Sequence, residues 1–335
     1  WYFDLARQWD GTFRHQGPPE PGHDKYHDWD ATSAFLLAYA APLQKLVLTG
    51  RRATASKVPT LDVAAAQSLI ADGRGWDNRV RNAHYAELDR AELLRRLGSW
   101  SPIVRERAAS ALTREKGAVV PALIELLDSP RLEARLGACQ ALALLRAAAA
   151  PAVPALQRCL AADDLWLRVK AAEALGHIGK PAMTAVPALL AALARAPLSD
   201  DPRGMEQRYL CFTLFDGRDG MLRRSLDGVD RDALFAAIRV GLHNQDGRAR
   251  SAIGSVYEEV AYEAIRPLLP AILEATMESA PSGIMFADGV RMAGLRLLAR
   301  HQLEEGIAAC AFYVRHMKQH GSQKRVPEVL EILRA

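Results

Sequence analysis

Aromatic residues make up only 7% of this 335-residue chain, and its charges nearly cancel, with 43 Lys plus Arg against 39 Asp plus Glu and a formal net charge of +4. A surplus this small over this length gives no global basic surface and argues against nucleic acid as a partner. Cysteine is scarce too. Cys139, Cys159, Cys211 and Cys310 stand far apart with no Cys-x-x-Cys pair, which excludes a disulfide framework or a zinc ribbon. They read as buried free thiols, a pattern compatible with the cytoplasm. Nowhere do about 18 apolar residues run on without a charge, so no membrane span is expected. A charged-then-apolar leader is missing as well: the chain opens Trp1-Tyr2-Phe3-Asp4 without a Met and reads as a truncated or processed product.

Catalytic signatures are equally sparse. Gly73 and Gly75 are not followed by Lys-Ser/Thr, so there is no P-loop, and there is no His-Glu-x-x-His. The stretch 216–220 has the Asp and Gly of a calcium loop but not its twelfth-position Glu, and reads as a surface turn. No Ser/His/Asp set, catalytic carboxylate pair or nucleophilic Cys emerges at a recognisable spacing. The expectation is a protein without enzymatic activity.

What the chain does contain is an internal repeat. Arg105, Arg135, Arg168, Arg208, Arg250 and Arg291 each precede a large apolar residue by seven positions, namely Leu112, Leu142, Leu175, Phe215, Tyr257 and Leu298. The Arg-to-Arg steps are 30, 33, 40, 42 and 41 residues. Ahead of several of these segments lies another helical pattern with Pro in its first turn, at Pro121, Pro154, Pro187 and Pro270. Proline is tolerated there because the first-turn N–H has no intrahelical partner. Each unit is therefore a pair of antiparallel helices joined by a turn rich in Asp, Ser, Pro and Gly. One pair cannot bury its apolar faces alone. Stacked pairs do, through small residues such as Ala108, Ala109, Ala138, Ala171 and Ala172, which yields an all-α, right-handed α-solenoid.

The stretch from Asp164 to Leu190, with its Leu-Arg-Val-Lys-Ala-Ala-Glu-Ala-Leu-Gly core, resembles HEAT and phycobilin-lyase-type HEAT-like repeats. The resemblance is strong over about 90–195 and stays in register to about 300. It implies that the recurrent Asp and Arg form a structural ladder at the inter-repeat turns, and all six arginines match its position. It does not imply that they are active-site residues. His177, near the end of a repeat helix, is expected to be packed.

Residues 1–50 depart from the repeat. They hold Trp9, Phe13, His15, a Gly/Pro-rich loop over 17–22, then His23, Asp24, His27, Asp28, Trp29 and Asp30, followed by an apolar helix over 31–48 interrupted by Pro42. This segment resembles one hairpin of an α/α-toroid of the prenyltransferase and terpene-cyclase type. Joined to the HEAT-like section, it is similar to large bacterial proteins of unknown function that combine the two. Two His four apart share a helix face and can reach one Zn²⁺ with a carboxylate as third ligand, which makes His23, His27 and Asp24 candidate metal ligands. A hydrogen-bonded loop clamp is the plainer reading of the same residues, and Trp9 and Trp29 are candidate stacking faces for a small molecule or glycan. Residues 51–87 read as a linker with one helix near 61–70. Residues 88–335 read as the solenoid with C-terminal capping helices, and the basic run from Arg315 to Arg325 as a solvated connection.

These features favour an interaction scaffold that binds a protein or peptide on the concave face lined by the second helices, without a cofactor. A homo-oligomer is compatible with the same surfaces. The alternative is a fragment of a toroid-type enzyme, or a metal- or glycan-binding protein, working through the N-terminal His/Asp/Trp loop.

Overall fold

The computed structural model describes residues 85–199, 201–216, 219–223, 226–259, 261–277, 284–316 and 323–334, with Leu36 and Val63 alone before them. The chain divides into two compact units, Trp1–Leu93 and Leu94–Ala335. Helix α1 (Arg90–Leu97) spans the boundary, and the repeat array lies in the second unit. No strand occurs among the described residues, and the fold is an all-α HEAT-like repeat array.

Six second helices carry the six arginines: α2 (Pro102–Leu112), α4 (Leu132–Leu145), α6 (Leu165–Ile178), α8 (Met205–Phe215), α10 (Gly247–Ile253) and α14 (Ile284–Arg300). Each packs on the next, so together they form one continuous layer. The first helices are α3 (Val120–Leu127), α5 (Val153–Cys159), α7 (Val186–Ala194), α9 (Arg231–Leu242) and α13 (Leu269–Met277), and each packs against its own second helix. Between α10 and α13 lie two short helices, α11 (Val256–Glu259) and α12 (Tyr262–Ile265). Helices α15 (Glu305–His316) and α16 (Val326–Arg334) follow α14 and share a core with it around Leu295, Leu298, Cys310, Tyr313 and Val329.

The repeat register sets the core. Leu112, Leu142, Leu175, Phe215, Tyr257 and Leu298, one helical span after each arginine, are all buried to within about a hundredth of their surface. Burying such a side chain contributes about 1.5–3 kcal/mol, so this one register position supports every repeat. The small residues make the close approaches: Ala108, Ala109, Ala138, Ala171 and Ala172 are buried, and Gly137 of α4 lies so near the Leu97 carbonyl that a Cβ there would collide with it. Pro121, Pro154, Pro187 and Pro270 occupy the first turn of α3, α5, α7 and α13, where they cost no hydrogen bond.

The lengthening of the repeat from 30–33 to 40–42 residues has a local cause in each case. Early repeats join by short 3₁₀ turns, Thr113–Val119, Arg146–Ala152 and Lys180–Ala185. Later ones insert irregular residues at 195–199 and 201–204 between α7 and α8, others at 216, 219–223 and 226–230 between α8 and α9, and then α11 and α12.

No clear membrane span occurs among the described residues, though one segment passes a test of length and composition. The segment Leu132–Cys159 is, by length and composition, apolar enough to cross a membrane once a single charge is tolerated within it. It is not one straight helix: α4 ends at Arg146, whose φ of 51° breaks the run before the 3₁₀ turn and α5. Half of its apolar window is buried, because these residues are the centre of the repeat core. All four cysteines are free and buried.

Candidate functional site

The arginine ladder is the first polar feature the repeat builds. Arg105 Nη1 donates to the carbonyls of Ser99 (2.7 Å) and Trp100 (3.0 Å). Arg168 Nη1 donates to Ala162 (2.9 Å) and Asp163 (2.8 Å), and Arg250 Nε donates to Asn244 (2.7 Å). In each case the acceptors lie five or six residues upstream, at the turn that opens the second helix. The sequence resemblance pointed to inter-repeat turns. The carbonyls bound here belong instead to the turn inside a pair, because a guanidinium in the first turn of a helix reaches back over its own entry. Contacts between pairs run through carboxylates: Arg168 Nε donates to Glu206 (3.0 Å), and Arg208 pairs with Asp246 (3.0 Å). Arg168, Arg250 and Arg291 are almost wholly buried, whereas Arg135 and Arg208 are half-buried, each with an Nε lacking a hydrogen-bond partner among the described residues.

A second feature accompanies the ladder and has no sequence signature. Lys116, Arg146, Gly179 and Gln302 each lie eleven residues after a ladder arginine, and all four have positive φ, between 50° and 73°. They lie within four residues of the end of the second helix, where the chain turns away from it.

The outer stripe of the second helices forms the candidate surface. On α6 the exposed and half-buried positions Trp166, Lys170, Glu173 and His177 fall at helical spacing on one face, while Leu167, Ala171, Ala174 and Leu175 fill the other. Against it stand Leu132, Leu136, Gln140 and Leu144 of α4. Two pockets open along this seam. One, of about 330 Å³, is lined by Pro102, Arg105, Leu132, Leu136, Asp164 and Trp166. The other, of about 200 Å³, is lined by Cys139, Leu144, Arg146, Glu173 and His177. Gln140 and Lys170 line both, so the two are halves of one groove.

The groove continues into an aromatic cluster. Trp166 meets Tyr209 edge-on at 6.0 Å between centroids, Tyr209 meets Phe212 in the same way, and the Arg208 guanidinium lies over both rings at 5.5 and 5.6 Å. Trp166 keeps 45% of its surface exposed, which is unusual for a tryptophan that packing alone would place. Its floor is apolar, its rim polar, and the polar groups are paired: Lys170 bonds Glu173 at 2.6 Å, and the Asp164 carboxylate accepts from the Leu167 N–H at 2.8 Å as an N-cap. His177 is exposed rather than packed, since its position continues the Trp166 stripe, and its Nδ1 donates to the Glu173 carbonyl at 2.8 Å.

Cys139 is the thiol that lines the groove. A hydrogen bond to Cys159, together with burial, pushes the Cys139 thiol well above the usual range. Burial does the same to Cys211 and Cys310. Among the described residues no group of three or more His, Cys, Asp and Glu could hold a metal ion. The metal candidates His23, Asp24 and His27 and the stacking candidates Trp9 and Trp29 lie outside the described residues.

Asp246, at the entry to α10, is a carboxylate shared by two arginines. It caps α10 through the Arg248 N–H (2.9 Å) and binds the Arg248 side chain with both oxygens (3.1 and 2.8 Å) while also pairing with Arg208. The Arg248 hydrogen bond holds its carboxyl below the ordinary value of 3.8, against the opposing effect of partial burial. A depressed folded-state pKa gives stability that is present above the unfolded value and lost as pH falls through the folded one. The stability gap between the wild type and Asp246→Asn, which keeps an N-cap, should therefore be constant above about pH 5 and close as pH falls below about 4. Urea melts at stepped pH measure it, and a gap that widens on acidification contradicts this account.

Compared with known proteins, residues 120–204 match the HEAT repeats family, which covers α3 to α7 and so includes the groove wall formed by α4 and α6. Residues 1–50 match a domain of unknown function, DUF6288. The chain matches none of the curated proteins.

Proposed function

We propose that the protein is a non-enzymatic interaction scaffold that holds a protein or peptide segment in the groove formed by α2, α4 and α6. HEAT repeats commonly serve as protein-interaction scaffolds, which supports the general role. The observation that carries the reading is the pair of pockets joined at Gln140 and Lys170: an apolar floor of Leu132, Leu136, Leu144 and Trp166 receives side chains, and an amide and an ammonium between the pockets are placed to bond a partner's backbone carbonyls. Partly exposed aromatic anchors of this sort concentrate binding energy.

A photo-activatable residue at Gln140 should give one discrete cross-linked adduct in the native host, while the same residue at Glu125, exposed on first helix α3, should give none. Trp166→Ala should weaken adduct formation at Gln140 by about tenfold or more, the usual scale for losing a central aromatic anchor. Equal labelling from both faces, or an adduct indifferent to Trp166, rejects the groove as the binding surface.

A further inference from the structure

Helix α15 packs on α13, α14 and α16, and its remaining side is open. Down the middle of that side, from the residue that precedes the helix, run Glu304, Ala308, Ala311 and Arg315, at the steps of four, three and four that keep side chains in one line along a helix. Glu304, Ala308 and Arg315 are exposed and Ala311 is half-buried, whereas Gly306, Ala309, Cys310 and Tyr313 on the opposite side are buried. Beside the line, Ile307 keeps 64% of its surface exposed, and Leu333 of α16 keeps 45%. Both line one pocket of about 270 Å³, together with Leu295, Leu303 and Ile332. Two large aliphatic side chains left this open around an apolar pocket mark a surface that another protein covers.

The charges on this side identify the occupant. The line is acidic where α15 begins and basic where it ends, and neither Glu304 nor Arg315 has an ion-pair partner among the described residues. Reversing the helix makes it its own complement. When two copies of α15 lie antiparallel about a two-fold axis midway between Ala308 and Ala311, Glu304 of each copy falls opposite Arg315 of the other, and Ala308 falls opposite Ala311. Glu305 and His316, next to them at the two ends of the helix, repeat the same polarity along one edge. The alanines let the helix axes approach at the short end of the usual range of about 8–10 Å, which brings the Ile307 sides of the two copies together. From this self-complementarity we infer that the occupant is a second copy of this chain, docked through α15 in an isologous two-fold dimer. The face is small, which puts the dimer at the weak end of specific interfaces. Its helices are not those of the groove, so each copy keeps its own groove for a partner, and the inference does not depend on that reading.

Sedimentation velocity of the full chain over a series of concentrations tests this. The wild type should pass from monomer to dimer as concentration rises. Glu304→Arg alone and Arg315→Glu alone set like charges against each other, and each should weaken dimerisation by about tenfold or more, with circular dichroism unchanged because both side chains are exposed. The two reversals combined in one chain should restore the wild-type dimer. An equimolar mixture of the two single variants should form a heterodimer about as tight as the wild type, which a loss of folding could not produce. A wild type that stays monomeric at the highest concentration, a dimer indifferent to both reversals, or single variants rescued neither by the combination nor by mixing overturns the assignment of α15 as a dimer face.

Discussion

Replacing Glu206 by Ala is expected to destabilise the second unit by about 3 kcal/mol or more, the scale for removing one partner of a buried ion pair. The reason is asymmetric. Arg195, which also pairs with Glu206, is half exposed and returns to water at little cost, but Arg168 is 3% exposed and cannot. Its Nη1 stays bonded to the Ala162 and Asp163 carbonyls, whereas Nε loses its acceptor and joins Nη2, which already has no hydrogen-bond partner among the described residues. Glu206→Gln restores an acceptor without the charge and should recover a large part of the loss. Chemical denaturation of the three proteins checks this. Equal stability of Glu206→Ala and wild type would mean that the α6–α8 contact does not depend on this pair.

The second large effect concerns the residues eleven positions past the ladder arginines. Gly179→Ala is expected to cost about 1–3 kcal/mol, because the φ of 73° and ψ of −132° at this helix end lie where a Cβ is strained. Arg146 holds nearly the same conformation, φ 51° and ψ −134°, with a side chain in place, so Arg146→Gly is expected to stabilise by about 1 kcal/mol after the entropic cost of glycine is subtracted. Opposite signs at equivalent positions form the test. Calorimetric melting should move up for Arg146→Gly and down for Gly179→Ala, and a lowered melting temperature for Arg146→Gly would show that strain is not what this turn stores.

The helix-pair architecture was legible in the sequence because packing repeats with it. The arginine that reaches back over its own helix entry and the apolar residue seven positions later recur wherever a pair stacks on a pair, so six copies of one spacing stand out against variable surfaces. Proline in the first turn was readable for the same reason, since the backbone tolerates it there and in few other helical places. The strained turns were not readable. Glycine at 179 is an ordinary signal, but Lys116, Arg146 and Gln302 look like surface residues and reveal their backbone only when three repeats are superimposed by register. A place near the end of a repeat helix does not reveal that His177 is exposed, whereas helical phase puts it on the stripe of Trp166 and Lys170.

The candidate groove divides along the same line. Sequence alone determined that α2, α4 and α6 recur as helices of one stacked repeat, because the spacing from arginine to large apolar residue is the same in each. Tertiary structure decided which open residues meet. Gln140 and Lys170 are 30 residues apart, Arg168 and Glu206 are 38 apart, and Trp166 and Tyr209 are 43 apart. Neither spacing nor composition links them, because side chains on the outer stripe are free to vary once the inner face packs. Only the stacking of one helix pair on the next brings them into a single surface.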